Sequence, residues 1–93
     1  MATHQVVEAD VLVKDREGIH LRNAAALVRA AAQFPKADLM ISKDGHQVNG
    51  KSIMGVLTLV AEHGAQLHLK ARGEEADKLI ATLVATFENG TDQ

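Results

Sequence analysis

Val11-Leu12-Val13-Lys14-Asp15-Arg16-Glu17-Gly18-Ile19-His20-Leu21-Arg22-Asn23-Ala24-Ala25-Ala26-Leu27 is the stretch in which the chain changes period. Before it, Val7, Ala9, Val11 and Val13 alternate with Val6, Glu8, Asp10 and Leu12, the two-residue repeat of a strand with one more polar face. Asp15-Arg16-Glu17-Gly18 breaks that repeat. After it the alanine-rich run from Leu21 to Gln33 has strong helix propensity, and Ala24, Leu27, Val28 and Ala31 share one helical stripe. Pro35 closes the helix, because the residue before a proline avoids the helical region.

His20 therefore stands where a helix begins. About four backbone N–H groups lack intrahelical partners there, and the helix dipole is positive. An imidazole at that place is repelled in its charged form by the dipole and by Arg22, so it is biased towards the neutral form, which carries a nucleophilic lone pair. The same N–H groups can hold the oxygens of an anion attached to the ring. Those are the requirements of a residue that accepts and donates a phosphoryl group. Arg22 adds a guanidinium whose planar fork matches phosphate oxygens.

Further along, Leu39 and Ile41 alternate with Asp38, Met40 and Ser42 as a second strand. Lys43-Asp44-Gly45 is a hairpin signal, and His46 to Asn49 is the returning strand. Ser52 is a candidate N-cap for a short helix whose buried stripe is expected to be Ile53, Val56, Leu57 and Val60, with Met54 exposed and Glu62-His63-Gly64 as the stop. Leu67, Leu69 and Ala71 alternate with Gln66, His68 and Lys70 as a fourth strand. A last helix is expected from about Glu74 to Glu88, with Ala76, Leu79, Ile80, Leu83, Val84 and Phe87 facing inward and Asn89-Gly90 as its end. The order is βαββαβα, with no linker and no repeat. Half-polar strands and one-sided helices predict an α+β fold, a four-stranded antiparallel sheet with three helices on one face, in one domain over residues 1–93.

Composition narrows the function. The 93 residues are 46% hydrophobic, which excludes a disordered class. Phe34 and Phe87 are the only aromatics, so stacking platforms for single-stranded nucleic acid are missing. Cysteine is absent, which leaves neither disulfides nor thiolate metal sites. No apolar run approaches the roughly 20 residues of a membrane span and no signal-peptide core precedes the first strand, so a soluble cytoplasmic protein with no membrane insertion is expected.

The net charge of −2 is unevenly placed: residues 1–33 balance, residues 34–72 carry +2, and residues 73–93 carry −4. Glu74, Glu75 and Asp77 are expected to complement the dipole in the first turn of the last helix. The basic excess is too small for a nucleic-acid footprint. His4, His46, His63 and His68 lack metal-ligand spacing, so no metal site is expected. The glycines form no phosphate-binding loop, and no nucleophile–base pair points to a free-standing enzyme.

Two separated motifs converge on one family. Gly18-Ile19-His20-Leu21-Arg22-Asn23-Ala24-Ala25, followed by Val48-Asn49-Gly50-Lys51-Ser52-Ile53-Met54-Gly55, resembles the HPr family of histidine-containing phosphocarriers from the bacterial phosphoenolpyruvate-dependent sugar phosphotransferase system. The resemblance covers about Val6 to Gly90. It implies an open-faced β-sandwich and a reaction without a cofactor: Enzyme I transfers a phosphoryl group to Nδ1 of His20, which passes it to an enzyme IIA component or another sugar-specific enzyme II component. It further implies that Arg22 stabilises the phosphoryl oxygens. Ser52 matches a regulatory serine modified by an HPr kinase/phosphorylase in some lineages. Leu21, Arg29, Ile53, Met54 and Leu57 fall on the family's partner-binding surface, and a monomer is expected. The same resemblance leaves open a regulatory paralogue acting through docking and Ser52, and a carrier in a nitrogen-related relay. Two positions depart from the pattern: Leu21 and Asn23 stand where many members have alanine and proline. Asn23 restores an N–H that proline lacks, and Leu21 adds apolar surface beside the ring.

Overall fold

A computed structural model describes residues 5–90. The strands are β1 (Gln5–Leu12), β2 (Ala37–Lys43), β3 (His46–Asn49) and β4 (Gln66–Gly73), and the helices are α1 (Leu21–Ala32), α2 (Ile53–Leu57) and α3 (Ala76–Asn89). The sheet runs β1-β4-β2-β3 and every neighbouring pair is antiparallel. β1 pairs with β4 over its whole length, from Gln5 opposite Gly73 to Leu12 opposite Gln66. β1 and β3 are the free edges.

One face of the sheet is dry. Val11, Leu39, Ile41, Val48, Leu67, Leu69 and Ala71 point to the same side and are buried with Ala24, Leu27 and Ala31 of α1, Val56 of α2, and Leu79, Ile80, Leu83 and Phe87 of α3. All three helices thus cover a single face, and the sheet is open on the other. The core is aliphatic apart from Phe87 and the buried amide of Asn23; each fully buried leucine is worth roughly 1.5–3 kcal/mol over exposure. Gly73, at φ +127, ends β4 where a Cβ would fall 2.3 Å from the Lys36 carbonyl oxygen, so only glycine lets the sheet close onto the α1–β2 connection.

Two expectations need correction. The second helix is one turn long and ends at Leu57, and Val60 lies off its stripe: it is 69% exposed in a left-handed conformation at φ 49, while Leu59 takes the buried place. At α3, Glu74 and Glu75 precede the helix and Asp77 alone is the acidic residue of its first turn. Glu75 is the N-cap of α3, but its side chain makes no capping bond. Its carboxylate accepts the Lys36 N–H at 2.9 Å, and Glu74 pairs with Lys36 Nζ at 3.8 Å. These acids tie the start of α3 to the start of β2.

The open face carries a cross-strand cluster. His68 on β4 stands opposite Asp10 on β1, with Nδ1 2.8 Å from Asp10 Oδ1 and Nε2 2.7 Å from Glu8 Oε1. Only the charged imidazolium donates through both nitrogens, so hydrogen bonds to Asp10 and then Glu8 raise the histidine pKa from its ordinary 6.5. The resulting stabilisation is fully present below pH 6.5 and is lost as pH climbs through the raised value. His68→Gln is therefore expected to lower the melting temperature at about pH 5.5 more than at about pH 8.5, with thermal melts at the two values as the check. An equal effect at both would mean that folding does not raise the affinity of His68 for its proton.

Candidate functional site

The site is built where β1 hands over to α1. Val13 N–H donates to the Ala65 carbonyl at 2.9 Å, and Gly64 N–H donates back to the Val13 carbonyl at 2.7 Å. The chain then turns through Asp15 to Gly18, with Gly18 N–H on the Asp15 carbonyl at 2.9 Å. Gly18 sits at φ +75, and a Cβ there would lie 2.4 Å from the Ala61 carbonyl oxygen. That carbonyl accepts the next N–H, from Ile19, at 2.8 Å. Two backbone segments, 13–19 and 61–65, are thereby zipped together, and His20 is the next residue out.

His20 is the N-cap of α1, extended at φ −122 and ψ −174, and its carbonyl accepts the first helical bond from Ala24 N–H at 2.9 Å. Its half-buried ring turns back over the helix end, and Nδ1 accepts the Arg22 N–H at 3.3 Å. In the neutral ring the proton is then on Nε2 and the Nδ1 lone pair faces the helix N-terminus. No acidic residue occupies the first turn of α1, so no side-chain carboxylate of that turn competes with an anion for its N–H groups. Arg22 is exposed on the same turn and makes interactions of its own.

Asn23 is the residue whose part the sequence did not disclose. It is the buried polar side chain of the described core, 1% exposed. Its Oδ1 accepts the His20 N–H at 2.5 Å, closing a capping box, and its Nδ2 donates to the Gly18 carbonyl at 2.7 Å and to Asp15 Oδ2 at 3.1 Å. The available signal was an N-cap with a polar residue three positions on, read with histidine and asparagine in place of the usual serine and glutamate.

The remaining candidates fall at different distances from the ring. Leu21 is the first residue of α1 and is 63% exposed. Arg29 is exposed in the last turn of α1, seven residues from Arg22 and so on nearly the same helix face. α1 packs against α2, where Met54 is 71% exposed and Ile53 and Leu57 are half-buried against the core. Val60, not expected at the surface, joins this exposed apolar set, next in sequence to the Ala61 carbonyl that holds Ile19. A β-branched residue at positive φ costs on the order of 1–3 kcal/mol, and no sequence pattern announces it.

Ser52 is half-buried as the N-cap of α2, its Oγ accepting the Gly55 N–H at 3.0 Å. Lys51 turns away from it and bonds the Phe34 carbonyl at 2.7 Å and the Ala37 carbonyl, which fixes the end of α1 to the start of β2. The other histidines do not join His20. His46 Nε2 is 3.5 Å from Thr58 Oγ1, His63 Nδ1 is 3.3 Å from the Asp15 carbonyl oxygen, and His68 is in the cluster on the open face. His4 lies outside the described residues. Among the described residues no helix is long and apolar enough to cross a membrane.

Residues 7–89 match the model of the family described as PTS HPr component phosphorylation site. The chain is 36% identical over 84 residues to the phosphocarrier protein HPr of Treponema pallidum, covering 90% of this chain and 94% of that one. Its fold matches the crystal structure of HPr from Bacillus anthracis with a TM-score of 0.83 at 35% identity, over 88% of this chain and 96% of that one. It also matches Crh of Bacillus subtilis, described as a dimer with a swapped domain, with a TM-score of 0.73 at 34% identity over 94% of this chain and 99% of that one. The same fold thus occurs in an exchanged form, and fold alone does not carry the expectation of a monomer.

Proposed function

The chain belongs to the HPr phosphocarrier family, and on that premise we propose that it carries a phosphoryl group on Nδ1 of His20, received from Enzyme I and passed to sugar-specific enzyme II components. One observation supports this above the others: the Nδ1 lone pair sits at the N-terminus of α1, over the Arg22 N–H, with no acidic side chain in the first turn. The atom that would form the N–P bond is already placed beside donors for the oxygens it would bring.

In the transfer, the Nδ1 lone pair attacks phosphorus while the bond from phosphorus to the donor breaks and its electron pair returns to the donor. The oxygens keep their negative charge throughout, so the protein's task is orientation and charge stabilisation. The Arg22 N–H, released from Nδ1 as the bond forms, turns to a phosphoryl oxygen, and the Arg22 guanidinium supplies a charge-assisted contact. The product is a carrier, not a catalyst of its own reaction. Leu21, Arg29, Ile53, Met54 and Leu57 form the surface on which partners dock, with apolar contact from α2 and a positive charge from α1. The proposal places the carrier in the cytoplasm with its phosphoryl donor.

A second reading is favoured by the relationship to Crh: a regulatory paralogue, or a carrier in another relay, that acts through docking and Ser52. The presence of both His20 and Arg22 weighs towards the carrier, because docking alone needs neither. Ser52 modification by an HPr kinase/phosphorylase is compatible with either.

With Enzyme I and phosphoenolpyruvate, the protein should gain one acid-labile, base-stable phosphoryl group, and His20→Ala should gain none. Arg22→Ala should slow the transfer while stability moves by no more than about 0.5 kcal/mol, as for an exposed site. Undiminished labelling of His20→Ala overturns the assignment. Ser52→Asp places a negative charge at the start of α2 and beside Ile53 and Met54. Its melting temperature is expected to be unchanged or raised and its Kd for Enzyme I higher, since the charge must be desolvated in the interface. Calorimetry and binding titration check both; undiminished affinity would leave Ser52 a cap and nothing more.

A further inference from the structure

We propose that Asn23 is a positioning residue for phosphoryl transfer, acting through its side chain on the conformation of His20. This deepens the carrier reading and rests on it. Every polar atom of the Asn23 amide is used: Oδ1 holds the His20 N–H at 2.5 Å, and the two Nδ2 protons go to the Gly18 carbonyl at 2.7 Å and Asp15 Oδ2 at 3.1 Å. The amide cannot be reversed without setting its oxygen against a carbonyl and a carboxylate. Its orientation is therefore fixed.

The three bonds reach three places that decide where the ring goes. Asp15 begins the turn, Gly18 is its left-handed corner, and His20 is the N-cap. The bond to the His20 N–H holds the extended backbone at φ −122 that turns the ring back over the helix end. Asp15 polarises the amide, which strengthens the acceptor facing His20. Nδ1 then lies 3.3 Å from the Arg22 N–H, with its lone pair committed to the face where phosphorus must approach. A loose N-cap would let the ring swing outward, and an error of about 1 Å in a reacting group can cost roughly a hundredfold.

Where many relatives have proline, the ring of that residue restrains φ and offers no side-chain hydrogen bond. In this chain the restraint comes from a buried amide instead. The backbone N–H of position 23 is thereby kept, adding a donor to the first turn of α1 that proline removes. Asn23 is not itself a contact of the reacting atoms in this account; it holds the residue that is.

The test compares wild type with Asn23→Ala and with Asn23→Ser, which is uncharged and can replace at most part of the clasp. Thermal melts come first, so that all later measurements are made where each variant is folded. Nitrogen-15 NMR of the His20 ring then reads the tautomer without any partner protein. Wild type should show predominantly the Nε2–H form, and Asn23→Ala a shift towards a mixture. Transfer from charged Enzyme I should lose tenfold or more in kcat, with KM changed by less than about twofold, because the docking surface is untouched. Asn23→Ser should fall between the two, and it decides the matter alone if Asn23→Ala does not fold. Phosphoramidate, a small-molecule phosphoryl donor, is used in parallel to charge His20 without Enzyme I. If folded variants keep the wild-type tautomer and kcat, the positioning role is wrong. If wild type takes no phosphoryl group from either donor, the carrier reading fails instead, and the two failures are distinct.

Discussion

The antiparallel pairing of β1 with β4 is the constraint on which the rest of the molecule depends. It joins the first described strand to one that begins more than fifty residues later, with a register running from Gln5–Gly73 to Leu12–Gln66. A slip of β1 by one residue would turn Val11 out of the core while Leu67, Leu69 and Ala71 of β4 stay in it, so the apolar alternation pins the register. Once it is set, Val13 meets Ala65 and the zipper continues off the end of the sheet to Ile19 and Ala61. The position of His20 is thus a consequence of strand register. The helices above the sheet supply burial, and α1 supplies the N–H groups, but the pairing decides where α1 starts.

The site that results uses little chemistry and much geometry. There is one nucleophilic nitrogen, one exposed guanidinium and a first helical turn without an acidic residue. The buried amide of Asn23 is the exception to an apolar core, and burying it is tolerable because each of its hydrogen-bonding positions is filled. An unsatisfied amide there would cost on the order of 1–3 kcal/mol. Strain is stored close by, in Val60, which stands exposed at positive φ beside the carbonyl that holds Ile19. Of the two non-glycine residues at positive φ among the described residues, Asp44 lies in the β2–β3 turn, where aspartate is well tolerated, and Val60 lies beside the segment that holds Ile19.

The element order, the strand faces and the start of α1 were legible in the sequence because each rests on a period or a punctuating residue. Ala24, Leu27 and Ala31 repeat as a helix does, and Leu67, Leu69 and Ala71 repeat as a strand does. The family match at residues 7–89 bears out the two motifs from which the resemblance was drawn. What escaped was decided by contacts between distant segments. Val60 continued the helical stripe on paper, yet the chain leaves α2 after Leu57 and turns through Val60 to the Ala61–Ile19 bond. Glu75 looked like a helix-start acid, but Lys36 N–H, thirty-nine residues away, claims it. His68 was placed on a polar strand face, and only the register sets it between Glu8 and Asp10. The backbone effect of asparagine in place of proline was visible; the three bonds of its side chain were not.

Nδ1 of His20, and no other atom, is proposed to take the phosphoryl group, because the N-cap geometry turns that lone pair over the helix end. Phosphorus-31 NMR with nitrogen-15-labelled histidine, on protein charged by Enzyme I and phosphoenolpyruvate, reads the bonded nitrogen directly. A single phosphorus resonance coupled to Nδ1 of His20 is expected. Coupling to Nε2 of that ring, or to any of His4, His46, His63 and His68, would overturn the assignment.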